Sequence, residues 1–131
     1  MENNKPVTRK EEGLSAWDAQ TILMKNEPIT FEDAQECANA QPFMVAHRLV
    51  SLGGNPANAL SNLKDTEKSA IAYMIIPHLE EVIAKAERDN LDWFNKKNDL
   101  MKLIGIAMQS GMLEMDRVSK AMALVQNSSL K

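Results

Sequence analysis

The residues able to do chemistry in this 131-residue chain are few. Cys37 and His47 are the only nucleophile-and-base pairing of thiol and imidazole to consider near one another in sequence. They stand ten residues apart, and Cys37 is flanked by Ala34 and Ala38, as on a packing face. That setting predicts a buried thiol. His47 and His78 are the two histidines, and neither has the companion ligands at the spacing a metal site requires. Glu80 and Glu81 are adjacent, so on a helix their carboxylates diverge, and a solvated face is expected. The sequence has no Gly-x-x-x-x-Gly-Lys-Ser/Thr loop to cradle a phosphate and no Gly-x-Ser-x-Gly elbow for a serine nucleophile. The expectation is a chain that is not an enzyme and takes no cofactor or metal.

Other residue groups suit recognition. Met101, Met108, Met112, Met115 and Met122 crowd the C-terminal third. Flexible thioethers repack easily against varied partners, although the same residues serve as core filler, which is the reading their spacing favours. Lys96, Lys97 and Lys102 form the notable basic cluster, just after Trp93 and Phe94. Cations beside aromatics can stack bases or anchor a protein surface; buried aromatics at a solvated helix start explain the same pattern. The stretch from Met44 to Leu63 has the outline of a helix-turn-helix. Its second helix carries no cation, so phosphate attraction would be nearly absent.

Composition bounds the remaining possibilities. Apolar residues make up 44% and charged residues 25%, the balance of an ordinary globular domain, and 14.6 kDa suits a single one. No apolar run is long enough to span a membrane. The N-terminus lacks the apolar core of a secretory signal, and the single cysteine fits a reducing compartment, so a cytoplasmic location is expected. The net charge is -3, while residues 91–131 carry +2. Strong autonomous nucleic-acid binding needs several cations on one face, so any such contact belongs in that C-terminal third.

The elements that would position these residues all read as helices, because period-two alternation is nearly absent and glycine is scarce. An all-α bundle of about six or seven short helices is expected over residues 14–126, with a mobile polar tail over 1–13 and a frayed end over 127–131. Leu14 to Met24 forms a first helix burying Leu14, Trp17 and Leu23, ended at Asn26-Glu27-Pro28. Thr30 caps a second, with Asp33 placed as in a capping box. Pro42 occupies the first turn of a third, which ends at Gly53-Gly54. Asn55-Pro56 starts a short helix through Leu60 and Leu63, and Thr66 opens the next. Pro77 imposes a kink or a junction of two helices. Asn90 caps a helix that stops at Gly111, and a last helix shows Met115, Val118, Met122 and Val125 at steps of three and four. The expected core includes Trp17, Phe43, Leu49, Ile75, Leu79, Phe94, Leu103, Ile104, Val118 and Met122.

The run Gln41-Pro42-Phe43-Met44-Val45-Ala46-His47-Arg48-Leu49-Val50-Ser51 resembles an early helix of the small, non-ATPase subunit of the tailed-phage DNA-polymerase clamp loader. Phe43, Met44 and Val45 match that family's aromatic-Met/Ile-Val/Leu start, and Leu49 with Ser51 approximates its Leu-Ser step. The order downstream is similar too: alanines and asparagines from Asn55 to Leu63, a helix reaching Pro77, and Trp93. Leu100 to Ile104, continuing through Met115 to Leu124, resembles the family's closing helix pair. Where the family tends to carry a basic run, this chain has His78-Leu79-Glu80-Glu81-Val82, so no DNA or ATPase contact carries over to that stretch.

The resemblance implies a non-catalytic subunit that assembles with an ATPase subunit and a sliding clamp in the host cytoplasm. Partner contacts are then expected at Phe43, Arg48, Ser51, Met112 and Met115, and nucleic-acid contacts at Lys96, Lys97 and Lys102. Arg48 could bond a partner carboxylate or phosphate; its plainer reading is a solvent-facing arginine whose stem covers apolar surface. The competing class is a small helical phage or mobile-element protein that binds and inhibits or adapts a host protein.

Overall fold

A computed structural model describes residues 14–51, 59–89 and 96–131. Seven α-helices are described: α1 (Ala16–Met24), α2 (Phe31–Ala40), α3 (Pro42–Val50), α4 (Asp65–Ile75), α5 (Leu79–Asp89), α6 (Lys97–Met108) and α7 (Met115–Gln126). A single 3-10 turn, Ile76–His78, joins α4 to α5, so those two helices can equally be seen as one bent rod. No strand occurs among the described residues. The all-α bundle expected from the sequence is the fold, and no described helix is long and apolar enough to cross a membrane.

Local chemistry sets the boundaries. Ser15 Oγ accepts from the Asp18 amide at 3.1 Å and starts α1. Asn26, with φ of 58°, turns the chain out of α1 in the left-handed region that asparagine tolerates. Thr30 Oγ1 accepts from the Asp33 amide at 3.1 Å, starting α2 where expected. Pro42 takes the first position of α3. The next helix starts at Asp65, one residue before Thr66. Lys64 is its cap, and the Lys64 amide donates to the Glu67 carboxylate at 2.8 Å. Pro77 supplies the break between α4 and α5. Gly111, with φ of 74°, closes the turn after α6, and its amide donates to the Met108 carbonyl at 3.1 Å.

The buried side chains of all seven helices form one cluster. Its centre is the packing of α4 on α6, through Ile71, Ala72 and Ile75 against Leu100, Leu103, Ile104 and Ala107. Small residues allow the close approach of α2 and α3: Ala34, Cys37, Ala38, Val45 and Ala46 are fully buried. Phe43, Leu49, Ile75, Leu79, Leu103, Ile104 and Val118 lie in the core as expected.

Several expectations need correction. Trp17 is 73% exposed, because α1 turns Ala19 and Leu23 inward instead. Met122 is exposed as well: α7 buries Val118, Ala121 and Val125, leaving Met115 and Met122 beside that stripe. The chain end is anchored where fraying was expected. Glu87 accepts from the Ser129 amide at 2.8 Å and its hydroxyl at 3.0 Å, and Leu130 is buried. Residues 59–63 form turns rather than helix. The proposed N-terminal tail, the Gly53-Gly54 stop, the Asn55-Pro56 start, the Asn90 cap, Trp93 and Phe94 lie outside the described residues, and the described start of α6 is at Lys97.

Candidate partner-binding surface

Helix α3 turns most of its matched residues into the protein. Phe43 is buried, with the Lys85 ammonium 5.5 Å from its ring centroid, a cation–π contact between α3 and α5. Arg48 is only 9% exposed, which corrects the solvent-facing reading. Its Nη1 donates to His47 Nδ1 at 2.9 Å and its Nη2 approaches the Leu23 carbonyl at 3.5 Å, near the end of α1. A guanidinium only donates, so His47 Nδ1 accepts and the ring's proton sits on Nε2. Burial, and then the neighbouring Arg48 charge, hold the His47 pKa down at about 4, while burial lowers that of Arg48. At the other end of α1, Gln41 Nε2 donates to the Ala16 carbonyl at 2.9 Å. The polar groups of α3 therefore brace α1. Ser51 completes this pattern, since its hydroxyl donates to the His47 carbonyl at 2.8 Å and closes the last turn of α3.

The basic cluster does not form one face. Lys97 Nζ donates to the Gln126 carbonyl at 2.9 Å, where a cation suits the C-terminal end of α7. Lys102 is exposed roughly 140° around α6 from Lys97, by helical geometry. Lys96 is exposed at the position preceding α6. Cys37 is fully buried; Glu80 and Glu81 are exposed, and His78 Nδ1 lies 3.9 Å from Glu81 Oε1. Among the described residues, no group of three or more His, Cys, Asp or Glu converges as metal ligands would.

The methionines behave differently. The Lys97–Gln126 bond fixes α6 and α7 as antiparallel neighbours. Counting four and then eleven residues inward from each end puts Met101 level with Met122, and Met108 level with Met115. Lys97, Met101 and Met108 share one flank of α6, just as Gln126, Met122 and Met115 share one flank of α7. A methionine seam thus runs along the α6–α7 hairpin, and Met112 extends it at the turn. Met108 is 45% exposed, Met112 50%, Met115 68% and Met122 39%, whereas Met101 is half-buried against the core. Gly105 lies on the outer side of the same α6 flank, and a Cβ placed there would meet nothing within 4 Å. Exposed thioethers along the hairpin make a deformable surface suited to another protein's side chains. The sequence grouped all five methionines and gave Met112 and Met115 as contact residues; the register of the two helices sets Met108 and Met122 beside them.

Compared with known proteins, the chain matches no family model, no curated protein and no solved structure.

Proposed function

We propose that this chain is a non-catalytic subunit of a phage DNA-replication clamp-loading complex, acting by assembly with an ATPase subunit. The observation that carries the reading is the exposed methionine seam of α6 and α7, in the segment that resembles that family's closing helix pair. Apolar side chains left at solvent along two packed helices suit a surface that another subunit covers. The Phe43–Ser51 helix contributes indirectly: it braces the bundle, and the assembly contact falls to Met108, Met112, Met115 and Met122. Any contact to nucleic acid through Lys96 or Lys102 is weak and belongs to the assembled complex.

The test is capture of the tagged chain from cells carrying its genome. Copurification of an ATPase that has a phosphate loop, lost when Met108 and Met115 are both changed to Asp, is the expected result. Capture of a host enzyme alone would favour the competing class, a helical protein that inhibits or adapts a host partner. The purified chain is expected to hydrolyse neither nucleotide nor ester by itself. Reproducible hydrolysis abolished by one point mutation would overturn the non-catalytic assignment.

A further inference from the structure

The other flank of α7 carries a different surface. Arg117 and Leu124 lie roughly 140–180° around the helix from Met115 and Met122. There α7 faces the 3-10 turn and the start of α5 across an open groove of 410 Å³. Its apolar lining comes from Ile76, Pro77, Leu79, Ala121 and Leu124. Arg117 and Lys120 line the same groove, and a neighbouring hollow continues it past Lys120 to Glu80 and Asn127. The Arg117 guanidinium is held 5.9 Å from the Tyr73 ring centroid, which fixes a flexible side chain without neutralising its charge. Neither Arg117 nor Lys120 makes an ion pair among the described residues.

We infer that this groove docks an acidic, leucine-bearing peptide segment of a partner protein. Its apolar side chains enter between Ile76 and Leu124, and its carboxylates meet Arg117 and Lys120. Charge complementarity carries the choice. The chain as a whole has a net charge of -3, so a locally cationic rim is set against an acidic background. Two cations are too few to hold a nucleic-acid backbone by phosphate neutralisation, and an apolar floor offers nothing to phosphates. Carboxylates on a helical segment can instead take charge-assisted hydrogen bonds from the guanidinium while leucines at i, i+3 and i+7 fill the floor. Glu80, at the opposite end, orients the segment with its carboxylates toward Arg117.

The probe is a fluorescently labelled helical peptide with leucines at that spacing and glutamates between them, compared with a counterpart carrying lysines instead. Anisotropy should show micromolar binding of the acidic peptide, with amide shifts at Ala121 and Leu124 in nuclear magnetic resonance spectra. Combining Arg117→Glu with Lys120→Glu should weaken it by about tenfold or more, and Lys120→Glu alone by about threefold. The single variant provides the test if the double variant fails to melt cooperatively. Methionine-seam variants should bind the peptide normally, so this groove and the assembly surface fail separately. Equal binding of the lysine peptide would overturn the inference, as would no binding up to about millimolar peptide. So would unchanged affinity in a folded charge-reversed variant, or occupation of the groove by a second copy or a single-stranded oligonucleotide in preference to the peptide.

Discussion

Helices α3 and α7 have similar apolar spacing and opposite uses. In α3, Phe43, Ala46, Leu49 and even Arg48 are buried, and its polar atoms are tied to the backbone of α1 and of α3 itself. In α7, Val118, Ala121 and Val125 point inward while Met115 and Met122, one step around the helix, are left in solvent. Periodicity locates an apolar set on a helix; it does not say which arc of that set the neighbouring helices cover. Alanine decides both cases. Ala46 lets α3 sit deep among its neighbours, and Ala121 moves the contact line of α7 away from the methionines.

The largest effect expected on either helix is Phe43→Ala. Removing a buried ring should cost about 3–5 kcal/mol, read from the urea unfolding midpoint. A loss below about 1 kcal/mol would mean that α3 is less deeply set than its burial indicates. Arg48→Ala comes next, at about 2–4 kcal/mol, because it removes a buried stem and the donors that reach His47 and Leu23. The His47→Gln control should cost less, since a side-chain amide oxygen can still accept from Arg48.

His47 gives α3 a pH signature. Its folded pKa of about 4 lies below the ordinary value of 6.5. Between those values the unfolded chain binds a proton that the folded chain does not. This contribution is therefore fully present above about pH 6.5, declines as the pH falls, and is gone below about 4. The ring is half-buried, so solvent screening reduces the contribution to about 1 kcal/mol. Urea midpoints of the native chain and of His47→Gln should converge between pH 7 and pH 4.5. A constant gap would show that the imidazole titrates normally in the folded state.

The bundle itself was legible because caps and breakers act locally. Thr30, Pro42, Pro77 and Gly111 each limit the backbone through their own chemistry, and each marks a boundary of the described helices. The surface was harder to read. Trp17 reads as a core residue beside Leu14 and Leu23, yet it alone of the three is exposed, because Ala19 and Leu23 hold α1 to the bundle. Lys96, Lys97 and Lys102 look like a basic patch, yet Lys97 reaches the end of a helix 29 residues away. Arg117 joins an apolar groove only where α7 packs beside the Pro77 turn and the start of α5. Each of these depends on how distant segments meet, and neither composition nor periodicity encodes that directly.

Gly105 bears on the hairpin side of the comparison. It sits inside α6 with open space where a Cβ would go, so packing gives no reason for glycine. Gly105→Ala should stabilise the fold by about 0.5–1 kcal/mol through helix propensity. A bulkier Gly105→Leu should leave folding near normal while weakening capture of the proposed assembly partner, because it adds bulk beside the methionines of α6. A destabilised Gly105→Ala variant would show that α6 bends there or that another side chain already occupies that space.

The smallest expected change in stability is the one that separates surface from core most sharply. Met115→Gln combined with Met122→Gln should shift the unfolding free energy by less than about 0.5 kcal/mol, since exposed positions away from caps and buried networks seldom matter more. The two glutamines keep nearly the same length and helix propensity, so the helix itself is not penalised. What changes is the desolvation required of any protein that covers the seam, because each buried amide then needs a hydrogen-bond partner. Capture of the proposed ATPase partner should fall about tenfold or more while the melting curve stays in place. If stability falls by about 2 kcal/mol instead, the methionines belong to the core; if neither quantity moves, the seam is not the surface through which this chain assembles.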